Sequence, residues 1–213
     1  MAHASPSDTI GAPPAPPDQG GYGGGDGGES QWGGSRRASF TGLLVAIAAT
    51  TMVFGALSSA YFVRRDVSAG WMAAPLPGIL WLNTAVLLAS SAFLEIALYS
   101  LKTGRRTAFN RWWTAGAACG VTFLAGQGVA WRQLRDAGLY ISGDPAGAFF
   151  YLLTIAHAVH LLAGITALAY IWVRAIRFEL GPARRTGAEL TAMFWHFLDA
   201  LWLYLLALFS FWG

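Results

Sequence analysis

The sequence predicts an all-α integral membrane protein, a bundle of five transmembrane helices behind a disordered N-terminal tail. Three observations carry that prediction. Only 12% of the 213 residues are charged, whereas a soluble domain carries about 25%. Mean hydropathy is +0.45. From residue 38 onward the apolar residues gather into five long runs, about 38–63, 76–101, 112–131, 145–173 and 190–213. Each run provides the roughly 20 residues a helix needs to cross about 30 Å of hydrocarbon.

The tail comes first. Residues 1–39 hold 10 of the 26 Gly and 5 of the 9 Pro, with few aliphatic side chains. Such a composition cannot bury enough apolar surface to fold. It contains no apolar stretch followed by a small-residue cleavage site, so a secretory signal is not expected. The membrane domain is then residues 40–213. Its first helix carries Gly42, Ala46, Ala49, Gly55 and Ala56, small residues that let helix backbones approach closely in a membrane. The second helix, 76–101, contains Asn83 and Glu95. The third, 112–131, contains Gln127 and a G-x-x-x-G pair at Gly116 and Gly120, followed by Gly126 and Gly128. The fourth runs from Pro145 and the fifth closes the chain. Pro75, Pro77, Pro145 and Pro182 all fall in connections or at a helix start, so no helix interior is broken. None of the runs alternates with period two over about ten residues, as barrel strands do.

Lys and Arg set the orientation. With the N-terminus inside, ten of the fourteen basic residues fall on the inner side: Arg36, Arg37, Lys102, Arg105, Arg106, Arg111, Arg174, Arg177, Arg184 and Arg185. Four fall outside: Arg64, Arg65, Arg132 and Arg135. The positive-inside rule favours that arrangement, with the C-terminus outside. Trp71, Trp81, Trp112, Trp113, Trp131, Trp172, Trp202 and Trp212 lie near helix ends, where aromatic belts form. The basic residues sit between apolar runs rather than in one patch, so nucleic acid is not an expected partner.

One cysteine, Cys119, excludes a disulfide framework, a thiolate zinc site of two or more Cys and an iron–sulfur cluster. The side chains left to carry chemistry are polar groups at membrane depth, which must face protein or water: Glu95, Gln127, His157, His160, His196 and Asp199, with Asn83, Thr50 and Thr51 as weaker members. His157 and His160 are three apart, as are His196 and Asp199, which places each pair on one side of its helix. Two readings stay open. Packed face to face, the helices would assemble three imidazoles and a carboxylate, a donor set suited to zinc, iron or manganese. Alternatively these groups hydrogen-bond across helices and hold the bundle together. Glu95, alone on its helix, is a candidate proton carrier or a structural acid near the inner interface. Arg174 and Arg177, at the inner end of the fourth helix, suit a phospholipid head group, and the positive-inside bias would also place them there. No internal repeat and no paired interrupted helices suggest a transporter.

Four stretches, taken together and in order, resemble one family. They are Ala-Ala-Thr-Thr-Met-Val-Phe-Gly-Ala-Leu-Ser-Ser-Ala-Tyr-Phe-Val at 48–63, Leu-Asn-Thr-Ala-Val-Leu-Leu-Ala-Ser-Ser at 82–91, His-Ala-Val-His at 157–160, and Trp-His-Phe-Leu-Asp-Ala-Leu-Trp at 195–202. Gly-Gln-Gly-Val-Ala-Trp-Arg-Gln-Leu at 126–134 adds to them. The pattern resembles cytochrome c oxidase subunit III in its short, five-helix form. The resemblance implies a subunit without catalytic residues, cofactor or metal of its own, with haem and copper in partner subunits I and II. Such a subunit packs on subunit I, holds membrane phospholipid and supports proton uptake in a bacterial plasma membrane. Cytochrome c or quinol would donate electrons to the complex without binding this chain. A quinol oxidase or a nitric oxide reductase with a subunit III-like companion fits the same motifs. Outside the family, the competing reading is a membrane metalloprotein built on His157, His160, His196 and Asp199. One departure stands out: relatives often carry a glutamate in the first of these helices where this chain has Thr50, which cannot carry a proton.

Overall fold

A computed structural model of the chain describes residues 27–67, 77–136, 138, 145–177 and 185–212. Five helices account for nearly all of them: α1 (Gly27–Val67), α2 (Ile79–Lys102), α3 (Arg106–Asp136), α4 (Pro145–Ile176) and α5 (Thr186–Trp212). No strand occurs among the described residues. Of the expected tail, residues 1–26 lie outside the described residues, while 27–39 continue α1 backward from its apolar run. Trp71, Pro75, Pro182 and Arg184 also lie outside them.

Every helix outruns the apolar run that predicted it on at least one side, because polar residues at a span's ends still satisfy their backbone groups best by continuing the helix. Four helices are long and apolar enough to cross a membrane: Arg37–Val67, Ile79–Lys102, Ala146–Ile176 and Thr186–Phe211. The fifth expected span, within α3, matches in length but falls short in hydropathy. Its middle is largely Gly, Ala, Thr and Trp with Gln127, and its ends carry Arg106, Arg111, Arg132, Arg135 and Asp136.

What α3 lacks in hydropathy it makes up in packing. Its buried residues are Phe109, Trp113, Gly116, Gly120, Phe123, Gln127, Ala130 and Leu134, spaced alternately four and three apart. The facing side of α2 buries Leu80, Asn83, Leu87, Ser90, Leu94, Ala97 and Leu101 with the same alternation. Repeats of 3.5 residues on both partners produce a seam of knobs and holes, and α2 against α3 is the most extensive helix pair of the bundle. The hairpin between them closes on Gly104, whose φ of +73° suits glycine. Around it the amides of Thr103, Gly104 and Arg105 donate to the carbonyls of Tyr99, Leu101 and Ser100, a helix C-cap of the left-handed type.

Side-chain contacts fix the directions of the helices. Asn83 meets Phe123 and Ser90 meets Gly116, so α2 and α3 are antiparallel. Trp113 meets Leu168, and Tyr151 meets Trp131, so α3 and α4 are antiparallel. Glu95 meets His196, and Thr84 meets Trp202, so α2 and α5 are antiparallel. The α4–α5 approach depends on Gly164, where a Cβ would come within 3.1 Å of Leu198 and 3.2 Å of Trp195. Helix α1 lies at the rim, touching α4 and α5. Only 11% of its apolar window is buried within the chain, against 56% for α5, which makes α5 the centre of the bundle.

Candidate functional site: a polar ladder between α2 and α5

The polar side chains singled out in the sequence separate into three groups. The first is a ladder between α2 and α5. One turn of α2, from Ser91 to Glu95, faces one turn of α5, from His196 to Asp199. His196 Nε2 lies 2.8 Å from Glu95 Oε1, and His196 Nδ1 lies 2.9 Å from Ser91 Oγ. The Ser91 hydroxyl donates to Asp199 Oδ2. A serine has one hydrogen; given to Asp199, it leaves the oxygen to accept the Nδ1–H of His196. The result is a continuous row, Glu95–His196–Ser91–Asp199, from a surface carboxylate to one that is 5% exposed. The Glu95 side chain is 63% exposed and that of His196 33%. At the buried end, Asp199 Oδ1 has no partner among the described residues. One turn further along, Trp202 Nε1 donates to Thr84 Oγ1 at 2.9 Å, continuing the polar contact between the two helices.

The second group is the core between α3, α4 and α5. His157 is 1% exposed. Its ring lies 5.3 Å from that of Trp202 and 6.4 Å from that of Phe123, and neither ring nitrogen has a partner among the described residues. Gln127 is 2% exposed, with Oε1 unpartnered. His160, one turn on, faces the rim: its Nδ1–H donates to the Ala156 carbonyl at 2.8 Å, and its ring meets Phe54 of α1 edge-on at 5.7 Å. Three residues along a helix of 3.6 per turn leave about 60° between side chains, enough to send the two imidazoles to different neighbours. The metalloprotein reading needed His157, His160, His196 and Asp199 in one place, and the structure divides them. Among the described residues no group of three or more His, Cys, Asp or Glu side chains is placed to hold a metal ion.

The third group is at the ends and rim. Arg174 is half-buried, its guanidinium 5.7 Å from the Tyr170 ring centre, and Arg177 is exposed one turn further. Between α1 and α5, an apolar groove of about 400 Å³ is lined by Thr51, Phe54, Gly55, Phe197, Ala200, Leu201 and Tyr204. Thr50, where an acid was noted as missing, is 5% exposed and donates to the Ala46 carbonyl of its own helix at 2.9 Å.

Gly116 and Gly120 hold helices close. A Cβ on Gly116 would lie 2.9 Å from Leu94 Cδ2, and one on Gly120 would lie 2.5 Å from Trp195 Cη2. Gly126 has the same role against Asn83. Reading the sequence by charge alone misses the connectors: Ser91, which joins His196 to Asp199, and Ser90, which donates to the Gly116 carbonyl at 2.8 Å. The available signal was two adjacent hydroxyls in an apolar run, Ala89-Ser90-Ser91-Ala92, where neighbouring positions serve different faces: Ser90 turns to α3 and Ser91 to α5.

Comparison with known proteins agrees with these motifs. The family model described as cytochrome c oxidase subunit III matches residues 40–213. A probable cytochrome c oxidase subunit 3 of Nocardia farcinica is 31% identical over 170 residues, covering 78% of this chain and 84% of the relative. The cytochrome c oxidase subunit 3 of Corynebacterium diphtheriae is 28% identical over 172 residues, with 76% and 82% covered. That of Thermostichus vulcanus is 28% identical over 174 residues, with 78% and 84% covered.

Proposed function

The chain belongs to the cytochrome c oxidase subunit III family, and from that premise we propose that it is the non-catalytic integral subunit III of a haem–copper terminal oxidase. Subunits I and II hold the haem and copper and reduce oxygen, with cytochrome c as the electron donor. This chain packs on subunit I in a bacterial plasma membrane, N-terminus in the cytoplasm and C-terminus outside, retains phospholipid and supports proton uptake by its partner. The observation that carries this reading is the use of its polar residues: Asn83, Ser90, Ser91, Thr84, Trp113 and Trp202 all hydrogen-bond to another helix. Glu95, His196 and Asp199 are spent on joining α2 to α5 rather than on gathering around a ligand. Polar contacts of this kind are worth about 0.6 kcal/mol each on average in membrane bundles, which suits a scaffold.

Lipid retention has its own support. Arg174 and Arg177 offer two cations at one end of α4, where each basic residue near a membrane surface is worth about 1 kcal/mol towards anionic lipid. The groove beside Gly55 is apolar and long enough in volume for part of an acyl chain. The test is purification of the tagged chain in mild detergent, with mass spectrometry and an optical spectrum of what accompanies it. Oxidase subunits I and II with their haem bands are expected. A chain that purifies alone, carrying stoichiometric metal or haem, would overturn the proposal.

A further inference from the structure

Most of the outward face of this bundle is aliphatic or aromatic, as a surface against lipid can be, and one strip of it carries an acid within the span. Along α2 the residues Trp81, Ala85, Leu88, Ala92, Glu95 and Tyr99 are all exposed. They are spaced alternately four and three apart, large side chains separated by Ala85 and Ala92. That is the pattern of a seam for a further helix, with the alanines as holes. It repeats, on the outer side of α2, the spacing with which its inner side receives α3.

Within this strip lies Glu95, seven residues before the end of α2 at Lys102. At 1.5 Å per residue that is about 10 Å inside the helix end, against a head-group region of about 5–8 Å on each side of a bilayer. Its carboxylate is 63% exposed, and among the described residues its one partner is His196 Nε2. A carboxylate has about four acceptor positions, so most of its capacity faces outward. The array behind it holds two acids, Glu95 and Asp199, against one imidazole, and no Lys or Arg among the described residues pairs with either acid. A Glu–His pair facing hydrocarbon at this depth is costly, and ionisable side chains in membranes accordingly face protein or a watery cavity.

We propose that the outward face of α2, flanked by His196, is the docking surface for a transmembrane helix of a partner subunit that places a cationic side chain, Arg or Lys, on Glu95. The partner helix inserts side chains over Ala85 and Ala92 and supplies the charge the Glu95–His196–Asp199 array lacks. The proposal rests on the reading of this chain as an oxidase subunit and names the face through which it joins the complex.

The test uses the complex purified through the tagged full-length chain, with a photo-crosslinking amino acid at position 92 and, as control, at the exposed position 159 on α4. The expected result is a covalent adduct from position 92 to a transmembrane segment of another subunit that carries Arg or Lys within one helical turn of the adducted residue. Glu95→Leu should lower that adduct's yield roughly threefold or more, the effect of losing an interhelical polar contact, and Glu95→Gln, which keeps a hydrogen-bonding group, should lower it less. The yield at position 159 should not change in either variant. Adducts from position 92 only to lipid, to a second copy of this chain, or to a segment without a cation would overturn the proposal while leaving the oxidase reading intact. Failure of any oxidase subunit to co-purify would overturn both.

Discussion

The Trp195 indole lies across Gly120 so closely that a Cβ at that glycine would sit 2.5 Å from its Cη2. Trp195 is fully buried and its outer edge also meets Gly164, so one ring fills the space left by two glycines on neighbouring helices. Small residues in membrane bundles exist for such approaches. Gly120→Val should therefore push α3 from α5 and destabilise the bundle by about 1–3 kcal/mol, the usual range for overpacking. Gly128→Ala is the internal control, since nothing lies within 4 Å of a Cβ there. Denaturant titration of the purified chain in mixed micelles should separate the two; equal stability would mean that Trp195 does not occupy that gap.

Ser91 and Ser90 are adjacent, yet their removal should have unequal effects. Without the Ser91 hydroxyl, Asp199 loses the partner of Oδ2 while Oδ1 already lacks one, and His196 loses the acceptor on Nδ1. A buried group left unsatisfied costs about 1–3 kcal/mol. Ser90 donates to the carbonyl of Gly116, a helical carbonyl that keeps its own helix's bonding. Ser91→Ala should thus cost more than Ser90→Ala in the same titration, and the reverse order would show that the α2–α5 row is not a connected unit.

The same physics explains how much could be read before the fold was known. Helix number and order follow from apolar runs bounded by Arg and Pro, and all five helices appear near the expected places. Gly116 and Gly120 could be picked out because G-x-x-x-G has one physical use. His196 and Asp199, three apart on α5, both meet Ser91. His157 and His160, three apart on α4, meet different neighbours, because three residues set only an angle along one helix and the other four helices decide which neighbour fills it. Hydropathy likewise misjudges α3: glycines and tryptophans score low on such a scale but pack well in a heptad seam.

His157 offers a sharper contrast. Its two ring nitrogens are buried between Trp202 and Phe123 without partners among the described residues, so its imidazole forfeits hydrogen bonding that an apolar residue would never need. Replacing such a group by one of similar volume is nearly neutral or stabilising. His157→Leu should leave stability within about 0.5 kcal/mol of the parent or raise it, whereas His196→Leu should lower it, because it strands Glu95 and Ser91. It should also release the chain from the oxidase complex more readily than Arg64→Gln at the end of α1. A large loss in His157→Leu would reveal a buried partner for that ring.

Thr50 of α1 is buried, 5% exposed. Its hydroxyl is spent on Ala46 of its own turn, a local bond that ties no second helix and contributes little. Thr50→Val, of nearly the same shape, should change neither stability nor retention in the complex by more than about 0.5 kcal/mol. A clear loss of retention would assign the hydroxyl a contact outside this chain.

Lipid retention divides into a charge contribution and a volume contribution that can be removed separately. Arg174 and Arg177 stand one turn apart at the end of α4, the first steadied by Tyr170. If they hold a phosphate, Arg174→Gln with Arg177→Gln should weaken the binding of anionic phospholipid by roughly thirtyfold, taking about 1 kcal/mol for each cation, and high salt should mimic the double variant because exposed charges are screened. The groove between α1 and α5 is independent of charge. Gly55 opens onto it with no atom within 4 Å of a Cβ, so Gly55→Leu should fold normally while filling space otherwise open to an acyl chain. Lipid mass spectrometry of the complexes separates the two contributions: the arginine variants should lose anionic species selectively, and Gly55→Leu should lower total bound lipid without changing its charge distribution. If both leave the lipid content of the purified complex unchanged, neither the helix end nor the groove is a lipid site, and the bundle's role would reduce to its contacts with protein.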